Sequence, residues 1–299
     1  MKGNNFNENT RVQVPAALHL CRLGYTYLDD IPEYDKRTNI ITPIFKQSIK
    51  KLNPTMTELE ILQLLERIVS EAKNDNLGRE FYEMLSSNSG VKLIDYEDPY
   101  QNSWYITTEF TCEDEDSGDN FRPDITCFIN GMPLAFIEVK KPNNREGILA
   151  ERERINRRMR NKAFRPFLNI TQLMIFSNNQ NYDNENRVPI QGAFYSCTSK
   201  TKAFFNVFRE QDQSFVANVH LHPLEEGVEQ RILRHRNCIA VKNLPEYETN
   251  QSRTTPTNSI LTSMLSFERF LFLLRYGFAY VDRTIELEDG TKAKRLEKH

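Results

Sequence analysis

An α/β fold with a mixed central sheet flanked by helices is the architecture this sequence predicts. Three observations lead there. Helical periodicity dominates the first ninety or so residues, and from residue 91 the pattern changes to runs rich in β-branched and aromatic residues. Two of those runs are joined by Asn130-Gly131, the strongest short-range hairpin signal, and a helical stretch and further strand patterns follow. The chain has 299 residues, 39% hydrophobic and 27% charged, enough apolar material for a packed core in one large domain or two small ones.

Taken in order, residues 10–24 predict a helix, with Val14, Leu18 and Cys21 on one stripe and Gly24 as its stop. A second helix is predicted from Thr57 to about Lys73. Thr57 and Glu60 make a capping box ahead of the stripe Leu59, Leu62, Leu65, Ile68 and Val69. A third covers 77–87. Strand character follows in VKLIDY (91–96), SWYITTEFTC, RPDITCFI and MPLAFIEVKKP. The last is apolar on both faces until it turns charged at its C-terminal end, which predicts a buried central strand. A helix from about Glu146 to Arg160, strands at 171–179 and 192–198, and an amphipathic piece at 202–210 complete this part. Residues 245–258 read as a linker and 259–282 as helical. The division expected is therefore 1–244 for the main domain and 245–299 for a linker and helical connection.

Composition excludes several classes. There is no apolar run of eighteen residues and no secretory h-region at the N-terminus, so a cytoplasmic protein without membrane partners is expected. Five scattered cysteines, Cys21, Cys112, Cys127, Cys197 and Cys238, form no CxxC pair. The five histidines show no HExxH spacing, and the pair His220 and His222 reads as surface or core. Net charge is −2, unevenly spread: residues 113–119 hold five acids and no base, whereas 140–165 hold ten Lys/Arg against three acids. That basic segment suggests a local anionic partner.

The chemistry is expected at Asp124, Glu138 and Lys140. Metal-assisted hydrolysis of a phosphodiester needs hard oxygen ligands, a water deprotonated near neutral pH, and relief of charge on the phosphate. Two carboxylates supply the ligands and a lysine can orient the water. Glu138 and Lys140 are two apart on a strand and so share a face. A second Glu-x-Lys, Glu71-Ala72-Lys73, lies on a predicted helix with no Pro-Asp before it and reads as a solvated helix end.

Hairpin geometry adds a condition. A regular two-residue turn at Asn130-Gly131 pairs Ile129 with Met132, and the odd sum of the paired numbers puts Asp124 on the face opposite to Glu138. One metal could not then bridge both. The shared site requires an even register, from a three-residue turn or from a bulge that shifts a two-residue one.

The stretch RPDITCFINGMPLAFIEVKKP resembles the nuclease core of the restriction (R) subunit of type I restriction-modification enzymes, a PD-(D/E)xK restriction-endonuclease-like fold related to RecB-type nucleases. VQVPAALHLCRLGYTYL, IFKQSIKKLNP, NSWYITTEFT and TQLMIFSNN extend the resemblance over about residues 11–210. It implies that Asp124 and Glu138 bind Mg²⁺, that Lys140 completes the site, and that the reaction is endonucleolytic cleavage of double-stranded DNA. It also implies methyltransferase and specificity subunits as partners, and ATP only through motor domains, since the chain has no GxxxxGK[ST]. On this reading the chain is the N-terminal piece of a longer subunit. Many relatives carry Gln-x-x-x-Tyr on the helix after the lysine. Here that helix reads ILAERERINRRMR and has no such pair, and the spacing Gln101 to Tyr105 precedes the motif strands. Many also carry a further acid on an early helix, for which Glu71, Glu80 and Glu83 are candidates. Arg152, Arg154, Arg157 and Arg158 are expected to contact phosphates. A repair or recombination nuclease on the same core, and a catalytically silent DNA-binding or assembly module, are the competing readings.

Overall fold

The computed structural model describes residues 8–87, 89–113, 120–142, 147–182, 185, 191–200, 202–286 and 291–299. Most of the acidic run at 113–119, and Glu146 at the expected start of the basic helix, lie outside the described residues.

The N-terminal helices form where the apolar stripes predict them. A π-turn, Asn9–Gln13, runs into α1, Val14–Arg22, whose first seven residues are all buried. Helices α2, Thr42–Leu52, α3, Glu58–Ala72, and α4, Arg79–Ser86, follow. Both arms of the α3 capping box are present: Glu60 N donates to Thr57 Oγ1 at 3.3 Å, and Thr57 N donates to Glu60 Oε2 at 2.7 Å.

Among the described residues seven strands make one mixed sheet. In chain order they are β1 (Thr26–Tyr27), β2 (Trp104–Thr108), β3 (Ile125–Ile129), β4 (Met132–Val139), β5 (Leu173–Ser177), β6 (Ala193–Ser196) and β7 (Asn206–Val207), and their spatial order is the same. β1 with β2 and β4 with β5 run parallel; the other neighbours are antiparallel. The β4–β5 connection carries helix α5, Gly147–Arg160, and the short helix α6, Arg165–Ile170. Every residue of β4 is buried, as expected of a central strand.

Two expectations change. VKLIDY forms no strand. Its backbone is taken by side chains instead: Lys92 N donates to Asn53 Oδ1, and Leu93 O accepts from Asn130 Nδ2. It thus lies as a loop against the hairpin turn. Residues 259–282 are not one helix. α7, Pro256–Leu265, and α8, Phe267–Tyr276, break at Ser266, and Tyr280–Glu286 pairs with Lys292–Lys298 as an antiparallel hairpin. Within 256–276, Ile260, Leu261, Leu265, Phe270 and Leu274 share one core with Val14, Leu18 and the sheet residues Ile106 and Ile137. His19 on α1 meets Thr262 at 2.7 Å in that interior, and burial lowers its pKa to about 3, so the ring is neutral. Among the described residues no helix is long and apolar enough to cross a membrane.

Candidate active site

The β3–β4 hairpin decides which side chains can meet. Asn130 and Gly131 both have positive φ, 53° and 81°, so the turn is a two-residue one that pairs Ile129 with Met132. Glycine is needed at 131 twice over. Besides its φ, an added Cβ would lie 2.7 Å from Ile41 O and Phe45 N at the start of α2. After two pairs the register shifts: Phe128 opposes Pro133, but Cys127 opposes Ala135 and Ile125 opposes Ile137. Leu134 is the extra residue of a β-bulge. Pro133 has no N–H to give the ladder, and the Leu134 carbonyl accepts from Gln172 N at 2.8 Å at the start of β5 instead. The register beyond the bulge is therefore even. Asp124, just before β3, is brought level with Glu138 near the end of β4, and its Oδ2 accepts from Val139 N at 2.7 Å. Of the two ways to reach an even register, the protein uses the bulge.

The structure brings Asp124, Glu138 and Lys140 together. Lys140 Nζ lies 3.9 Å from Asp124 Oδ2 and 3.9 Å from Glu138 Oε2. Two further acids reach the same ammonium: Glu8 Oε1 at 3.4 Å and Glu151 Oε2, on α5, at 3.5 Å. Glu138 and Lys140 are only 3% and 7% exposed, and Glu151 is fully buried. Gln13, in the π-turn, donates to Asp124 O at 2.7 Å, which ties the N-terminal segment carrying Glu8 to the site.

Electrostatics follow from burial and crowding. Burial, then the charges of Asp124 and Glu151, raises the Glu138 pKa well above its ordinary value. Burial raises Asp124 against the pull of Lys140, and it raises Glu8 in the same way. Burial opposes the charge on Lys140, but Asp124, Glu151, Glu138 and Glu8 outweigh it and hold the ammonium above its usual range. The site thus carries two adjacent carboxylates whose ionisation is unfavourable without a further positive charge.

That donor set fits a hard divalent cation. Mg²⁺ is commonly bound by one or two carboxylates and keeps several waters. Asp124 and Glu138 are the carboxylates that could hold such an ion; among the described residues no group of three or more His, Cys, Asp or Glu is placed to hold one. His220 and His222 stand edge to face at 4.7 Å, away from this cluster in the wall of a cavity with Phe215 and Phe267.

The arginines of α5 divide. Arg154 and Arg157 are exposed and Arg152 is partly so, although Arg154 Nη1 also pairs with Glu151 Oε2 at 3.0 Å. Arg158 departs from the expectation of a phosphate contact. Its Nη1 lies 3.0 Å from Glu138 Oε1 and 3.5 Å from Glu151 Oε1, and its guanidinium stacks 4.0 Å over the Phe121 ring. None of the three candidates for the further acid reaches the cluster: Glu71 bonds Asn74, Glu83 pairs with Arg79, and Glu80 is exposed. Glu8 and Glu151 were missed by reasoning from sequence. Glu8 is 132 residues from Lys140 along the chain. Glu151 did carry a signal, since it sits three residues after Ile148 and four before Ile155, on the helix face that packs inward.

Fold and cluster define an α/β domain with a buried carboxylate–lysine centre at the end of a central strand. The chain belongs to the family of type I restriction enzyme R protein N termini, whose model matches residues 5–184. It is similar to three proteins of Methanocaldococcus jannaschii that are named for endonuclease subunits of type I restriction enzymes. To the MjaIXP subunit it is 32% identical over 163 residues, 47% of this chain and 16% of that protein. To the MjaVIIIP subunit it is 26% identical over 137 residues, 41% and 13% of the two chains. To the MjaVIIP subunit it is 44% identical over 57 residues, 18% and 5%. The matched region is thus a small part of each relative's length.

Proposed function

We propose that this chain is the nuclease module of a type I restriction enzyme R subunit, a PD-(D/E)xK core that cleaves double-stranded DNA with Mg²⁺. The observation that carries the proposal is the bulge at Leu134, which sets Asp124 beside Glu138 and both beside Lys140 in a chain of this family. A structural hairpin needs no such shift.

In this reading Asp124 and Glu138 hold the metal, which when bound supplies a more acidic water and a counter-charge for the phosphate. Lys140 orients the attacking water and offsets negative charge as it develops on the phosphate. Burial of Glu138 and Lys140, with Asp124 partly buried beside them, limits bulk water and strengthens each interaction. In this reading Arg152, Arg154 and Arg157 meet the phosphate backbone beside the cut. The DNA, the methyltransferase and specificity subunits, and an ATP-driven motor elsewhere in the subunit complete the assembly proposed.

The test is cleavage of plasmid DNA by the assembled enzyme. Cleavage should require Mg²⁺, stop with EDTA, and be lost in Asp124→Ala. Wild-type cleavage by Asp124→Ala would end the proposal.

A further inference from the structure

Helix α5 follows the motif strand, and its solvent face carries the basic residues. Its buried face carries something different. Ile148, Glu151, Ile155 and Arg158 succeed one another at helical spacing, so an acid and a base alternate with two isoleucines on the face that meets the sheet. The Glu151 side chain is 1% exposed, and a carboxylate left there unpaired is strongly destabilising. It is paired threefold: with Lys140 at 3.5 Å, Arg154 at 3.0 Å and Arg158 at 3.5 Å.

Two details distinguish this from a latch that only holds a helix down. First, Lys140 sits unevenly among its carboxylates. Glu151 at 3.5 Å and Glu8 at 3.4 Å are nearer than Asp124 and Glu138, each at 3.9 Å. The ammonium, which also donates to Val139 O at 2.8 Å, lies nearer these two acids than the Asp124–Glu138 pair. Second, Arg158 takes one oxygen of Glu138, Oε1, at 3.0 Å, and leaves Oε2 on the side of Lys140. Arg158 is itself immobilised against the ring of Phe121, a fully buried residue packed edge to face on Phe136 of β4. The orientation of the Glu138 carboxylate is therefore set from the core.

We infer that α5 supplies the positioning residues of the cleavage centre: Glu151 holds the Lys140 ammonium clear of the paired carboxylates, and Arg158 fixes the rotation of the Glu138 carboxylate so that one oxygen faces Asp124 and an incoming cation. This inference rests on the nuclease reading above. It accounts for a helix that lacks Gln-x-x-x-Tyr yet buries an ion pair where the motif strand ends. Partners that orient ligands in this way typically affect metal affinity or activity by about 10- to 100-fold.

The experiment combines Mn²⁺ binding to the 299-residue chain, read by electron paramagnetic resonance, with plasmid cleavage by the assembled enzyme. Glu151→Gln should lower kcat about tenfold or more while KM for DNA stays within about twofold. Arg158→Ala should weaken Mn²⁺ binding about tenfold, and Arg158→Lys, which keeps the charge, should restore part of it. Thermal melting of each variant separates positioning from folding: losses that disappear below the melting transition would reduce the pair to a structural latch and overturn the inference. So would wild-type kcat and Mn²⁺ affinity in Glu151→Gln and Arg158→Ala. Glu138→Ala is the control for the underlying reading. If wild type cleaves and Glu138→Ala does not, normal behaviour of the α5 variants sinks this inference alone. If wild type and Glu138→Ala behave alike, the nuclease reading fails, and unchanged Mn²⁺ affinity in Arg158→Ala would still reject the positioning role.

Discussion

Glu71-Ala72-Lys73 and Glu138-Val139-Lys140 share one pattern and have opposite fates. On α3 two residues separated by one point to different sides of the helix, so the Glu71 carboxylate accepts from its neighbour Asn74 while Lys73 caps the helix in solvent. On β4 the same spacing puts both side chains on one face, in the interior, against Asp124. The tripeptide carries no function of its own. Its meaning comes from the period of the element beneath it and from a third residue that a specific register delivers.

The largest effect should separate the two copies outright. Asp124→Ala, Glu138→Ala and Lys140→Ala should each lower plasmid cleavage by the assembled enzyme by roughly 10³-fold or more. Glu71→Ala and Lys73→Ala should leave it unchanged, with stability within about 0.5 kcal/mol of wild type. Equal loss from both copies would dissolve the contrast.

The buried copy should also carry a pH dependence that the surface copy lacks. Burial and the nearby acids raise Glu138 above 4.5 and burial raises Asp124 above 3.8. A carboxyl whose folded pKa is raised stabilises the fold fully below its ordinary value, and that contribution is lost as pH rises through the folded value. Glu138→Gln cannot ionise. In chelator, its melting temperature should exceed that of wild type by a margin that grows from about pH 5 toward pH 8, and Mg²⁺ should close the gap by stabilising wild type alone. A margin independent of pH would place the Glu138 charge in a satisfied ion pair instead.

The two faces of α5 extend the comparison. Arg152→Ala, Arg154→Ala and Arg157→Ala should each reduce the slope of log K for DNA against log salt by about one unit if each contacts a phosphate. Arg158→Ala, already engaged by Glu138 and Glu151, should change the slope least. An identical slope change from all four would mean that Arg158 leaves the cluster to bind DNA. The smallest effect belongs to the scaffold. Thr57→Ala removes the α3 capping box and should cost about 1 kcal/mol without altering cleavage.

Much of this was legible in the residues. The capping box at Thr57, the buried course of β4 and the Asn130-Gly131 turn each rest on local chemistry, and each is present. So was the need for an even register, which follows from counting alone. The choice between a longer turn and a bulge was legible too, through Pro133: a proline inside a buried strand marks a break in the ladder. Glu151 was readable from its place between Ile148 and Ile155. Glu8 was not, because nothing local ties the N-terminal segment to a lysine 132 residues away. VKLIDY misled for the converse reason. Its β propensity is real, but side chains of Asn53 and Asn130 take up its backbone groups before any strand does.

The central claim is that one divalent ion is shared by Asp124 and Glu138 across the shifted hairpin. Calorimetric titration of the chain with Mn²⁺ tests it most directly. The account predicts one site in wild type, abolished or weakened by at least about tenfold in both Asp124→Asn and Glu138→Gln, with the folded state intact by circular dichroism. Mn²⁺ bound equally well by wild type and by both variants would show that the two carboxylates hold no common ion, and the account would fail there.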